Sequence, residues 1–153
     1  MPEYDFGGKV ALVTGAAHGQ GRSHAQHYAR HGADVVCLDI GEDKSSVPYE
    51  LGTSEELEET ASLVEDEGGE ALTIEADVSN EAEVAAAVDE AVDHFGKVDV
   101  LANNAAVITI SDMVQLDERE RADVVDTNLK GVWPCAKHVG QHFVERGDGG
   151  KIV

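Results

Sequence analysis

The stretch Val10-Ala11-Leu12-Val13-Thr14-Gly15-Ala16-Ala17-His18-Gly19-Gln20-Gly21 decides how this sequence is read. A short apolar run, Val10 to Val13, gives way to a glycine-rich turn, and from Gly19 to about Gly32 the pattern is helical. A strand, a glycine turn and a helix in that order let the backbone approach a pyrophosphate closely. The helix N-terminus then offers unpaired N–H groups and the positive end of its dipole. The spacing is G-x-x-x-G-x-G rather than G-x-G-x-x-G, and it makes Gly15, Gly19, Gln20 and Gly21 candidate dinucleotide contacts.

Outward from the turn the alternation continues. Asp34-Val35-Val36-Cys37-Leu38-Asp39 reads as a second strand that ends in a carboxylate. A carboxylate there can accept hydrogen bonds from both ribose hydroxyls of an adenosine and repels a 2′-phosphate. Asp39, with Ile40 beside it, therefore predicts NAD rather than NADP. Thr53-Ser54-Glu55-Glu56 has the form of a capping box, and the helix it opens carries Leu57, Ala61 and Val64 on one face before Gly68-Gly69. Ala71 to Ile74 reads as a third strand. Ser79 or Asn80 caps a helix in which Val84, Val88, Val92 and Phe95 recur at near-helical spacing. Val98 to Ala102 is a fourth strand. From about Asp117 to Glu145 the pattern is helical again, with a disturbance expected at Pro134, and Lys151-Ile152-Val153 begins a fifth strand. This order predicts one α/β domain over residues 1–153, a Rossmann-type doubly wound parallel sheet with helices on both faces and right-handed crossovers. The one long connection, Ile40 to Gly52, exceeds what a strand–helix loop needs and is a candidate functional loop.

Composition narrows the class. Apolar residues make up 42% of 153 residues, enough for a packed core. Asp and Glu number 31 against 11 Lys and Arg, a net charge of −20 that repels phosphate and argues against nucleic acid or an anionic membrane as partner. The acids are spread along the predicted helices. That distribution resembles proteins of salt-loving organisms, where concentrated salt screens the self-repulsion. No apolar run approaches the ~20 residues that span a bilayer, and Met1-Pro2-Glu3-Tyr4-Asp5 lacks the basic-then-apolar pattern of a signal peptide. The expectation is a soluble, cytoplasmic protein. Cys37 and Cys135 are expected as buried, reduced thiols, and neither they nor the scattered histidines have metal-ligand spacing, so no metal is expected. Arg22 lies in a first helical turn, where the dipole disfavours a cation; a pyrophosphate contact or a surface position would each account for it.

Four segments stand in register along the chain: Thr14-Gly15-x-x-x-Gly19-x-Gly21, then Asp77-Val78, then Asn103-Asn104-Ala105-Ala106, then Thr127-Asn128-Leu129-x-Gly131. Together they resemble the short-chain dehydrogenase/reductase family, from about Gly8 to Val153. The resemblance implies bound NAD and hydride transfer between the nicotinamide and a small-molecule alcohol or carbonyl. It implies that Asp77 and Val78 lie against the adenine ring and that Asn104, Ala105 and Ala106 belong to the cofactor site. It gives Asn128 a supporting catalytic role, binding a water that links the family's lysine to solvent. Gln20-Gly21-Arg22-Ser23-His24, with Ser46-Val47-Pro48-Tyr49 in the long loop, resembles the mycofactocin-associated, carveol dehydrogenase-like subgroup. There NAD is held tightly, and the loop is expected to cover it.

Two departures carry consequences. Ala106 stands where the family has Gly and places a methyl near the nicotinamide ribose. The family's catalytic Ser and its Tyr-x-x-x-Lys pair cannot be placed: Tyr4, Tyr28 and Tyr49 are the only tyrosines, and none has Lys four residues on. The expectation is a partial chain, cut at the fifth strand and inactive alone, whose full-length form is a homo-oligomer, dimer or tetramer. A non-catalytic dinucleotide-binding or interaction module, or a non-functional gene remnant, is the alternative. A frayed fifth strand, with Val125, Leu129, Val132 and Val139 poorly covered, predicts association. Trp133 and Phe143 are expected in the core or a subunit contact.

Overall fold

Side chains alternate along a strand, and that alternation sorts the apolar residues onto two sheet faces. The computed structural model describes residues 4–153. Its strands are β1 (Val10–Thr14), β2 (Asp34–Asp39), β3 (Ala71–Glu75), β4 (Val100–Ala102) and β5 (Lys151–Ile152). Its helices are α1 (Gly19–Arg30), α2 (Ser54–Asp66), α3 (Glu81–Phe95), α4 (Glu118–Val125) and α5 (Val132–Arg146), with a π-helical turn over Asp126–Lys130. The strands form one parallel sheet in the order β3-β2-β1-β4-β5. Val10, Leu12, Val36 and Leu38 pack with Val84 and Val88 of α3 and with Val139 and Phe143 of α5. Val13, Val35 and Cys37 pack with Ala25 and Ala29 of α1 and with Leu57 and Val64 of α2. Both faces are covered, which is why the inner strands read as unbroken apolar runs. From β1 the chain builds outward to β2 and β3 on one side and to β4 and β5 on the other. A crevice opens where that order reverses, beyond the carboxyl ends of β1 and β4.

The helix starts follow from their caps. Thr53 Oγ1 accepts from Glu56 N at 3.2 Å while the Glu56 carboxylate accepts from Thr53 N at 3.0 Å, the reciprocal box expected for α2. Asn80, rather than Ser79, caps α3 through Ala82 N, and Asp117 with Glu120 forms a second box at α4. The start of α1 has no side-chain cap and no acidic residue in its first turn. At the other end of the sheet, buried Asp99 accepts from Val10 N at 2.9 Å and meets Lys97 and Arg146, each at 3.1 Å.

Several expectations are corrected. β4 begins at Val100, not Val98, and β5 ends at Ile152. The break in the last helical stretch falls at 126–130 rather than at Pro134. There Gly131 N reaches back to Asp126 O at 2.8 Å, closing the wider turn. Pro134 sits in the first turn of α5; it has no N–H for the Lys130 carbonyl, so its disruption is felt one turn earlier. Val139 is fully buried in the core, whereas Val125, Leu129 and Val132 are exposed. Phe143 is buried; Trp133 is exposed, with the Lys137 ammonium 5.0 Å from its ring centroid. Cys37 and Cys135 are free and buried. Among the described residues no helix is long and apolar enough to cross a membrane.

Candidate cofactor cleft

The glycine loop is shaped by close backbone approach. A side chain at Gly21 would lie 1.9 Å from the Gly15 carbonyl oxygen, so the loop can fold onto the first turn of α1 only with glycine there. Gly15 has φ +68°, and a Cβ on it would meet Ala105 Cα at 2.9 Å. The loop therefore rests on the segment that follows β4. Thr14 joins the two: its Oγ1 accepts from Asn104 N and Ala105 N, each at 3.0 Å. Asn104 Nδ2 returns bonds to Thr14 O at 3.0 Å and Gly15 O at 3.2 Å. Thr14 opens the recognised motif, but sequence reasoning gave its hydroxyl no task.

At this junction lies a cleft of about 210 Å³. Gly15, Gly19, Gln20, Asp39, Ile40, Asp77, Val78, Asn104, Ala105 and Ala106 all line it. Gly21 does not; it is buried behind Gly15. Asn128 does not either, and lines a neighbouring depression with Tyr49, Ala106 and Val107. Its amide is committed to the backbone, Oδ1 accepting from Val107 N and Nδ2 donating to Val107 O, both at 2.8 Å. The side chain thus fixes the segment beside the cleft. Ala106 is exposed, so its methyl fits without displacing protein.

The polar groups of the cleft are held in place. Buried Asp39 accepts from Ala17 N through Oδ2 at 2.9 Å and from Ile40 N through Oδ1 at 2.8 Å. Each oxygen keeps acceptor capacity. Asp77 Oδ1 accepts from Ser79 N and Oγ, at 2.8 and 2.7 Å, and Oδ2 accepts from Lys44 Nζ at 2.7 Å. Burial pushes the Asp77 carboxyl up, but Lys44 and Ser79 outweigh it and hold it below the ordinary aspartate value.

The long loop after β2 crosses this cleft. Lys44, Leu51 and Gly52 line it, Ser46 Oγ donates to Asp123 of α4, and Tyr49 Oη accepts from Ile108 N at 2.9 Å. Lys44, Leu51 and Thr127 also line the cleft; the loop's length hinted at the first two, and Thr127 stands in a recognised motif in which the sequence gave it no role. Arg22 does not line the cleft, and its guanidinium is engaged within the protein rather than free at the surface. Its Nη2 donates to Ala17 O at 2.6 Å and Glu56 O at 3.0 Å, its Nε meets Ala17 O and Thr60 Oγ1, each at 3.0 Å, and Glu59 lies 2.9 Å away. The guanidinium points into α2 because the Ala17 carbonyl needs a donor and Glu59 offsets the unfavourable dipole.

Comparison with known proteins agrees with this geometry. Residues 9–153 match the short chain dehydrogenase family. The chain is 41% identical over 147 residues to the (-)-trans-carveol dehydrogenase of Rhodococcus erythropolis, covering 95% of this chain and 53% of that protein. The crystal structure of carveol dehydrogenase from Mycobacterium avium in complex with NAD superposes with a TM-score of 0.90 at 38% identity, over 95% of this chain and 53% of that one. A short chain dehydrogenase from Mycobacterium paratuberculosis bound to NAD gives 0.92 at 33% identity, over 97% and 55%. The chain spans about half the length of the curated relatives it matches.

Proposed function

We propose, from the premise that this chain belongs to the short-chain dehydrogenase family, that it is the NAD-binding part of an oxidoreductase interconverting a small-molecule alcohol and its carbonyl. One observation carries the reading: the uncapped start of α1, at the end of a glycine loop, borders the same cleft as the Asp39 carboxylate. In α2, α3 and α4 a first-turn N–H is bonded by Thr53, Asn80 or Asp117, and α5 runs on from the π-helical turn. A pyrophosphate beside Gly19 and Gln20 would satisfy those of α1. Asp39 and Ile40 would meet the adenosine ribose, Asp77 and Val78 the adenine, and Asn104, Ala105 and Ala106 the portion toward the nicotinamide. Bound NAD supplies the hydride acceptor. The chain's own residues orient it: Thr14 and Asn104 fix the loop against the segment after β4, and Asn128 fixes that segment through Val107.

Proton handling needs a positioned acid–base group, and within residues 1–153 no Tyr-x-x-x-Lys occurs. We therefore assign this chain binding without turnover, and catalysis to a longer form, a cytoplasmic homo-oligomer. The loop over the cleft supports kinship with the mycofactocin-associated subgroup, and the dispersed negative charge supports a high-salt setting. The experiment is calorimetric titration of the chain with NAD and NADP, with an assay across secondary alcohols. Saturable NAD binding, weaker NADP binding and no turnover are expected; tighter NADP binding, or none of either, would overturn the reading.

A further inference from the structure

We infer that the Thr127 hydroxyl is a hydrogen-bonding ligand of the adenosine half of the dinucleotide, an inference that rests on the NAD-binding reading. Thr127 lines the cleft, and only 5% of it is exposed. Among the described residues, its Oγ1 is the one buried side-chain N or O without a hydrogen-bond partner in the protein. A threonine in a helix commonly returns its hydroxyl to a carbonyl in the preceding turn. Thr127 stands in the π-helical turn Asp126–Lys130, where the register is widened and that bond is not made. The turn instead leaves this hydroxyl, with both a proton to give and lone pairs to offer, unpartnered on a residue that lines the cleft.

Its neighbours say which half of the cofactor it meets. A Cβ on Gly131 would contact both Thr127 O, at 2.5 Å, and Val78 Cγ2, at 2.7 Å, so Thr127 stands beside Val78 at the β3 end of the cleft. At that end the carboxylate of Asp77 is already engaged by Lys44 and by Ser79. Thr127 thus brings the uncommitted polar group to a wall that is otherwise apolar or internally satisfied. Adenosine presents donors and acceptors on both base and ribose, and a hydroxyl can pair with either kind. The assignment also explains why a buried hydroxyl is retained where valine would fit: its desolvation is offset when the ligand arrives.

Thr127→Val removes the hydroxyl and leaves the shape, and Thr127→Ser keeps the hydroxyl. The test measures Kd for NAD, ADP-ribose and nicotinamide mononucleotide, and the thermal midpoint of each chain with and without NAD. In Thr127→Val the Kd for NAD and for ADP-ribose is expected to rise by the same factor, roughly 3- to 10-fold, with mononucleotide binding unchanged. The ligand-free midpoint should hold or rise while the NAD-induced increase shrinks, and Thr127→Ser should bind as the parent does. Unchanged NAD and ADP-ribose binding in Thr127→Val overturns the contact, as does a lowered ligand-free midpoint with a full NAD-induced increase, which would mark a hydroxyl serving the fold or an ordered water. A parent chain that binds no dinucleotide overturns the functional reading together with the contact, whereas a binding parent with an indifferent variant sinks the contact alone.

Discussion

Asp39 serves the loop and the ligand through one carboxylate. Ala17 N and Ile40 N both donate to it, so Asp39→Ala removes two backbone partners as well as the charge facing the cleft. We expect that variant to lose much of the preference for NAD over NADP and about 1–3 kcal/mol of stability. Asp39→Asn, which keeps one acceptor oxygen, should lose discrimination with a smaller drop in the denaturation midpoint; paired Kd ratios and urea curves separate the two effects. Asp77 sets an acid limit. In the folded chain burial raises its carboxyl, while Lys44 and Ser79 lower it by more; at Asp99 burial is likewise outweighed by Val10 N–H and Lys97. Folded values below the unfolded value of about 3.9 mean stabilisation that is present above that pH and lost as pH falls through the folded values. The unfolding midpoint is therefore expected to fall below about pH 4. Lys44→Met should flatten that fall by removing the Lys44 part of the Asp77 contribution, and a pH series of urea midpoints for parent and variant checks it.

The loop between β2 and α2 works as a strap anchored at several points: Lys44 on Asp77, Ser46 on Asp123 and Tyr49 on Ile108. Removing two anchors together, Lys44→Met with Tyr49→Phe, is expected to speed NAD release on the order of 10-fold, given about 0.5–1.5 kcal/mol per bond. Stopped-flow displacement measures it, and an unchanged rate would reduce the strap to a surface excursion. The strap also marks where sequence reading stops. The α2 cap was legible because Thr53 and Glu56 act within one turn, and the glycine loop because its spacing is local. Lys44 and Asp77 are far apart in the chain, and nothing local joins them before β2 and β3 pair. Arg22 was ambiguous for the same reason, since its partners lie on α2. The π-helical turn was hidden too. Pro134 announces a break, but the turn that absorbs it is fixed by how Gly131 packs on Val78, a contact across the fold.

For the molecule as a whole, charge and coverage decide behaviour. Lys9, Arg22, Arg30, Lys44, Lys97, Lys137 and Arg146 each lie within 4.0 Å of a carboxylate, yet acids outnumber Lys and Arg 31 to 11, and among the described residues most carboxylates have no Lys or Arg within that distance. Raising KCl shortens the screening length from about 10 Å at 0.1 M to about 3 Å at 1 M; it screens the repulsion of this acid excess, and the thermal midpoint is expected to climb with it, so that a flat salt profile would count against the high-salt reading. Ile110, Met113, Val114, Leu129 and Val144 are exposed, and β5 presents an open sheet edge. Light scattering across a dilution series should therefore show association. A monodisperse monomer would mean that these surfaces are less adhesive than their exposure implies.

The residues lining the cleft all fall between Gly15 and Thr127. Translation delivers them in order, at about 5–20 residues per second. By the time β5 emerges to flank β4, the cleft's lining has already left the ribosome. The whole lining of the cleft is thus synthesised before α5, which packs beneath it in the core, and before β5.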